Sequence, residues 1–343
     1  MKAVIRADAS SYIGYGHIMR CLTLAKELKK EGVNVNFLCR EDEGNLIHSI
    51  ENNNFNVFSL PGDINAGKDA ELTAQIIADK TGNPDFLIVD HYCLDISWEE
   101  FIRPYTGRIM VIDDFINRRH DCDIILNQNF GIKAQMYDNL TPQNCRKLTG
   151  SSYILLRNQF REIRKRIKPH SGKISKIFIF LGGADPTNET EKVIEAVKLI
   201  KNHEISYIVL VGDSNSHRKE IESICASMPD ITFCRQIYDV AGLMAETDFA
   251  IGAGGSNTWE RCCLGLPSMM IIAAENQRIL VENLAEEGII VNAGWYEDVT
   301  ASTIASMADE IIADKNKLKD MSRKAMEIVD GEGVSRVVRE MLN

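Results

Sequence analysis

Short runs of consecutive apolar residues alternate along this chain with stretches whose apolar positions recur every three or four residues. Ala3-Val4-Ile5 reads as a strand. After it Ile18, Cys21, Leu22, Ala25 and Leu28 keep helical spacing to about Lys30, where Gly32 closes the helix. The same reading gives strands at Val33 to Cys39, Asn56 to Leu60, Phe86 to Val89, Ile109 to Ile112 and Ile124 to Leu126. Helices fall between them near Asn45 to Glu51, Ala70 to Lys80 and Ser97 to Ile102. Alternation restarts after a break, with strands at Ile177 to Leu181, Tyr207 to Val211, Ile231 to Phe233, Phe249 to Ile251, Met269 to Ile272 and Ile289 to Val291. Helices are expected at Thr190 to Ile200, Lys219 to Ala226, Val240 to Ala245, Thr258 to Leu264 and Ile279 to Glu286. The chain then ends in helices at Ile304 to Ala313 and Lys315 to Leu342, the last broken near Gly331-Glu332-Gly333.

Continuous apolar strands between amphipathic helices indicate parallel sheets covered on both faces. At 343 residues the chain is long for one core, which favours two domains. The expected fold is α/β and GT-B-like: two doubly wound Rossmann-like domains facing a cleft. The break in the pattern places a first domain at 1–156, a connection at 157–174 and a second domain at 175–343, its last helices able to pack back on the first. Arg157 to Lys176 is basic and carries Pro169, His170, Ser171 and Gly172, which suits a connection. Its charges equally suit the solvated face of a short helix.

Composition narrows the class. Hydrophobic residues make up 45% of the chain, yet no apolar run is long enough to span a bilayer. The N-terminus enters strand pattern directly, without the features of a signal peptide. Nine cysteines, an odd number, include no CxxC pair, so neither a disulfide framework nor a zinc ribbon is indicated. A cytoplasmic protein without membrane insertion fits these features. A net charge of −10 argues against nucleic-acid binding through a broad basic face. It leaves room for a phosphorylated small ligand, because backbone N–H groups in glycine-rich turns hold phosphate without net positive charge.

In open parallel sheets, ligands bind beyond the carboxyl ends of the strands. Those ends carry Asp8, Asp90-His91-Tyr92, Asp113-Asp114, Asn127 and Asn129, Gly182-Gly183-Ala184-Asp185, Gly212-Asp213 and Gly252 to Asn257. Each also suits a turn, but together they line one rim. In Arg6 to Arg20, Gly14 and Gly16 allow a tight turn and close backbone approach to a ligand. His17 then falls on the first helical turn, where the dipole favours the neutral ring and so a general base. Arg20, on the same face, either orients His17, touches a phosphate, or is a solvated helix arginine. Gly252 to Glu260 forms a candidate diphosphate cradle with Gly254, Gly255, Ser256 and Asn257, and Glu260 could accept both hydroxyls of a ribose. Asn257-Thr258-Trp259-Glu260 also fits a capping box. Gly183 and Asp185 sit in a second glycine turn, where Asp185 alternatively caps the next helix. The spacing of Asp90, His91, Asp113 and Asp114 matches no known metal motif. His48, His120, His170, His203 and His217 fall on helix surfaces or loops. A dinucleotide fingerprint is weak, since Met19 replaces its third glycine, and no Walker lysine or GxSxG elbow is present.

Arg6 to Arg20, Ile88-Val89-Asp90-His91-Tyr92, Leu126-Asn127-Gln128-Asn129, Gly182-Gly183-Ala184-Asp185 and Gly252 to Glu260 occur in one order. In that order they resemble the UDP-2,4-diacetamido-2,4,6-trideoxy-β-L-altropyranose hydrolases of pseudaminic acid biosynthesis. The second half also resembles the nucleotide-binding domain of the GT-B transferase that makes lipid II. The resemblance implies hydrolysis of a UDP-sugar at C1 without metal or other cofactor. It assigns the base to His17 and substrate contacts to Asp185, Glu260, Asn276 and Tyr92. Asp8 and Asn127 join them as rim candidates. A GT-B transferase using a UDP-sugar donor is the competing expectation, and a monomer is favoured.

Overall fold

Among the described residues, thirteen parallel strands divided between two sheets carry the architecture. The computed structural model of the chain describes residues 1–10, 12–235, 237 and 239–343; Ser11, in the first loop, lies outside the described residues. The chain divides into two compact units, 1–157 with 332–343, and 158–331.

The first unit is built on β1 (Lys2–Ala7), β2 (Asn34–Arg40), β3 (Asn56–Leu60), β4 (Phe86–Asp90), β5 (Arg108–Ile112), β6 (Ile124–Asn127) and β7 (Arg146–Thr149). Their order in the sheet is β3-β2-β1-β4-β5-β6-β7. Helices α1 (Gly16–Lys30), α2 (Ile47–Asn52), α3 (Ala66–Ile76) and α4 (Ile96–Ile102) cover its faces. Ala3, Val4 and Ile5 are fully buried, as expected of a strand covered on both sides. The strand order reverses between β1 and β4, so their carboxyl ends flank the crevice where doubly wound sheets hold ligands.

The second unit contains α5 (Asn158–Arg164), β8 (Lys176–Phe180), α6 (Glu189–Val197), β9 (Ser206–Val211), α7 (Arg218–Ala226), β10 (Ile231–Arg235) and α8 (Val240–Ala245). It continues with β11 (Phe249–Ala253), α9 (Asn257–Cys263), β12 (Ser268–Ile272), α10 (Arg278–Glu286), β13 (Val291–Trp295), α11 (Ala301–Ala313) and α12 (Lys315–Ile328). The sheet order β10-β9-β8-β11-β12-β13 reverses between β8 and β11. The chain then leaves this unit, and α13 (Gly333–Leu342) packs in the first.

Four elements differ from the pattern-based expectation. The stretch 157–174 is not only a connection, because α5 folds inside it as part of the second unit. Phe160 is fully buried there, and Arg164 donates to the carbonyls of Cys263 (2.5 Å) and Met326 (2.8 Å). Arg164, in a segment whose charges suited either a connection or a solvated helix face, therefore bonds the ends of neighbouring helices. The second unit ends at Gly331 rather than running to 343. Strand β7 escapes the pattern because only Leu148 of its four residues is buried. β13 begins at Val291 because the Ile289 amide is still bonded to the Leu284 carbonyl at the end of α10.

Helix α13 is held to the first unit by an apolar face. Val334, Val337, Val338 and Met341 join the cluster formed by Ile18, Cys21, Leu22 and Ala25 of α1. Gly333 is required at its start, since a Cβ there would lie 2.3 Å from the Ile154 carbonyl oxygen.

Candidate active site

The loop from β1 to α1 sets the first site. Gly14 has φ of +83°, and its amide bonds the Ser10 carbonyl at 2.9 Å. This closes a tight turn that favours glycine. Gly16 opens α1, and His17 follows as its second residue, buried to all but 6% of its surface.

His17 Nδ1 lies 2.6 Å from Asp90 Oδ1 at the carboxyl end of β4. One helical turn further, Arg20 Nε and Nη2 donate to both Asp90 oxygens at 2.7 and 2.6 Å. Its Nη1 and Nη2 also donate to Asp114 at 3.0 and 2.9 Å. Cys21 Sγ adds a contact to Asp90 Oδ2 at 3.4 Å. Burial alone would raise the Asp90 carboxyl, but Arg20 and then His17 hold it well below the ordinary carboxylate range. An ionised carboxylate only accepts, so His17 Nδ1 carries the shared proton, and that tautomer has its lone pair on Nε2. Arg20, buried with two carboxylates about it, is pushed well above its usual value. It is not a solvated helix arginine.

Tyr92 packs edge-on to the His17 ring, with centroids 4.4 Å apart at 77°. Its hydroxyl donates to Asp114 Oδ2 at 3.1 Å. Burial, then the Asp114 charge, pushes this phenol up, so it stays protonated as a donor. Arg118 donates to the carbonyls of His91, at 3.0 Å, and Tyr92, fixing the loop that carries the tyrosine.

Four rim residues from the sequence reading, Asp8, His91, Asp113 and Asn127, are engaged within the protein. Asp8 is bound by both Arg6 terminal nitrogens, at 2.6 and 2.8 Å, and by the Arg40 amide at 2.8 Å. Arg6 and Arg40 also pair with buried Asp69. His91 Nδ1 accepts from the Cys93 amide at 2.9 Å, while its Nε2 faces Asp8 Oδ2 at 3.1 Å. Burial, aided by the Arg6 and Arg40 charges and opposed by Asp8, lowers the His91 imidazole below its ordinary value. Asn127 is fully buried and donates to Tyr137 Oη at 2.9 Å, which in turn donates to Asp113 Oδ2 at 2.7 Å. These groups brace the strand ends from behind. His120 lies in a loop and is likewise buried, with Nδ1 2.7 Å from Glu99.

In the second unit, the turn after β11 is built around its glycines. A Cβ on Gly254 would meet Val281 Cγ2 at 2.4 Å, and the Gly254 amide bonds Gln277 Oε1 at 3.2 Å. Gln277 Oε1 also accepts the Ala273 amide at 3.1 Å, tying the ends of β11 and β12 together. Gly255 has open space where a Cβ would stand, and Ser256 is exposed. Asn257 Nδ2 donates to Glu260 Oε2, pairing the two side chains across the first turn of α9. Asn276 is exposed on a short turn at Glu275–Gln277.

Asp185 caps α6. Its oxygens accept the amides of Glu189 (3.0 Å) and Thr190 (2.9 Å) and the Thr190 hydroxyl (2.6 Å). The Gly183 carbonyl takes Ser214 Oγ at 2.9 Å, and a Cβ at Gly212 would lie 2.2 Å from that carbonyl oxygen. The structure thus joins His17 and Tyr92 in one unit and Gly254, Gly255, Ser256, Asn257 and Glu260 in the other. Asp8, Asn127 and Asp185 are committed to internal bonds. The sequence placed Asp90, the last residue of β4, and Asp114, two residues past β5, on the rim without a role, and it gave none to Gln277, in the turn after β12.

Among the described residues no three His, Cys, Asp or Glu side chains are grouped to hold a metal ion. No helix among them is long and apolar enough to cross a membrane.

Two all-parallel α/β units, each with polar side chains past its strand ends at a switch in strand order, define a two-domain protein of the GT-B fold class. The solved structure of Acinetobacter baumannii MurG shares the fold at a TM-score of 0.69 and 15% identity, over 99% of both chains. The chain is 32% identical over 289 residues to the UDP-2,4-diacetamido-2,4,6-trideoxy-β-L-altropyranose hydrolase of Campylobacter jejuni, spanning 84% of this chain and 97% of that one. It is 25% identical to the spore coat polysaccharide biosynthesis protein SpsG of Bacillus subtilis, over 98% of this chain and 96% of that one. No family model matches. The chain belongs to the family of UDP-2,4-diacetamido-2,4,6-trideoxy-β-L-altropyranose hydrolases.

Proposed function

We propose that this protein hydrolyses UDP-2,4-diacetamido-2,4,6-trideoxy-β-L-altropyranose to UDP and the free 2,4-diacetamido-2,4,6-trideoxy-L-altrose, a step of pseudaminic acid biosynthesis. Family membership supports the substrate. The 2.6 Å pairing of His17 with Asp90 carries the mechanism.

UDP is a good leaving group, so the reaction chiefly needs a nucleophile. Water attacks C1 as the C1–O bond to UDP breaks, and His17 Nε2 takes the proton that water sheds. Asp90 stays ionised, holds the ring in the productive tautomer and stabilises the imidazolium. Arg20 fixes Asp90, and Tyr92 limits the ring's rotation. Gly254, Gly255, Ser256 and Asn257 hold the diphosphate, and Glu260 and Asn276 contact the nucleotide sugar. Asp8, Asn127, Gly183 and Asp185 act by shaping the loops. No metal takes part in this scheme.

Hydrolysis in ¹⁸O-water should place label in the free sugar and none in UDP, with turnover unaffected by EDTA. His17→Ala should lower turnover by about 10²–10⁴-fold with UDP affinity retained. Label in UDP or UMP, or His17→Ala turnover near that of the unchanged enzyme, would refute the scheme.

A further inference from the structure

Arg261 is among the largest fully buried side chains of the protein, lying directly beneath the turn after β11. Its Nη2 donates to the Ala253 carbonyl at 2.9 Å and to Thr258 Oγ1 at 3.3 Å. Its Nη1 occupies the space beside Gly252, 2.5 Å from where a Cβ would stand, so glycine there makes room for the guanidinium. Its Nε has no partner, and among the described residues no carboxylate forms an ion pair with it. Burial pushes the group down to about 10, offset in part by Cys262 and Glu260, so it remains a cation at neutral pH.

This contrasts with the other fully buried arginine, Arg6, and with the half-buried Arg20, each of which bridges two carboxylates. A buried charge without a counter-ion is costly. It persists where something else brings the opposite charge. The groups above it are Gly254, with a Cβ position closed by Val281, and Gly255, with its own left open. Both present backbone rather than side chain.

We infer that Arg261 is the fixed positive floor of a diphosphate site, and that the anionic ligand held on the turn from Gly252 to Asn257 is its missing counter-ion. Resting on the proposed use of a UDP-sugar, this assigns discrimination between the nucleoside and its diphosphate to a residue that the ligand does not touch. Arg261 is a positioning residue. It holds the Ala253 carbonyl away from the ligand and adds a field that grows with each phosphate charge.

The test is titration calorimetry of the full chain with UDP, uridine and inorganic pyrophosphate. A charge within about 7 Å of the ligand is worth roughly ten- to fiftyfold in affinity at the effective dielectric of a protein. Arg261→Gln should therefore weaken UDP and pyrophosphate by about that factor and leave uridine within about twofold. Arg261→Lys, which keeps the charge, should recover most of the loss. Equal weakening of UDP and uridine would mean a purely structural arginine and overturn the inference, as would unchanged UDP affinity in Arg261→Gln. If neither variant folds, the unchanged protein still decides. Less than about tenfold preference for UDP over uridine, or a preference that falls steeply with salt as exposed charges would give, overturns the inference; a greater preference that persists at raised salt, as a buried charge gives, supports it. A protein that binds UDP and pyrophosphate through Arg261 but releases no sugar would refute the hydrolase reading alone.

Discussion

Asp90 shows how one side chain sets the chemistry of another. Its oxygens serve His17, Arg20 and Cys21 together, and its ionised state decides which nitrogen of His17 holds the proton. Asp90→Asn keeps the shape but replaces an acceptor with an amide that can donate to Nδ1. That would move the ring proton to Nε2 and remove the lone pair facing water. We expect kcat to fall by about 10²–10⁴-fold with UDP affinity unchanged. Loss of UDP affinity in step with kcat would instead make Asp90 a folding residue. Only part of this was legible beforehand. Gly14-Tyr15-Gly16-His17 advertised a histidine at a helix start, but its partner lies 73 positions away. Nothing in the local pattern couples two such residues until β1 and β4 become sheet neighbours.

Helix α13 illustrates what periodicity alone cannot assign. Its apolar positions announce a helix with one buried face, and the face gives no address. Packing supplies it: Ser335 donates to Glu27 of α1 at 3.0 Å, Arg336 to the Ser152 carbonyl at 2.9 Å, and Met341 is fully buried in the α1 cluster. The C-terminus thereby closes the unit that contains His17. Met341→Ala should destabilise the first unit by about 2–5 kcal/mol, read by urea unfolding. A change below about 1 kcal/mol would show that the helix is dispensable to that core. α5 makes the complementary case. Its charges suited a solvated face because charge dominates the segment, yet the Arg164 guanidinium bonds carbonyls that tertiary folding brings to it.

In the first unit the buried charges around Asp8 are arranged to balance. Arg6 and Arg40 offset Asp8 and Asp69, and His91 sits against that cluster as a neutral ring. Its lowered value means the unfolded chain takes up a proton below about pH 6.5 while the folded chain resists it. Stability of the first unit should therefore fall as pH drops from about 7.5 to about 5.5. His91→Asn, whose side-chain oxygen can still accept the Cys93 amide, should flatten that slope in urea titrations. An unchanged slope would place the acid sensitivity elsewhere.

Hydrophobic spacing alone determined the strand and helix alternation, the two parallel sheets and the glycine turns past the strands, because these depend on neighbours within one or two turns of chain. Family resemblance pointed at His17 and Glu260. Only the tertiary structure decided that Asp90, Arg20, Asp114 and Tyr92 form one bonded group, and that Asp8, Asn127 and Asp185 spend their polar atoms inside the protein. It alone buried Arg261 with, among the described residues, no carboxylate in an ion pair with it. Those outcomes depend on strand order and burial, which set the partner and the dielectric of every charge and are not written in any local stretch.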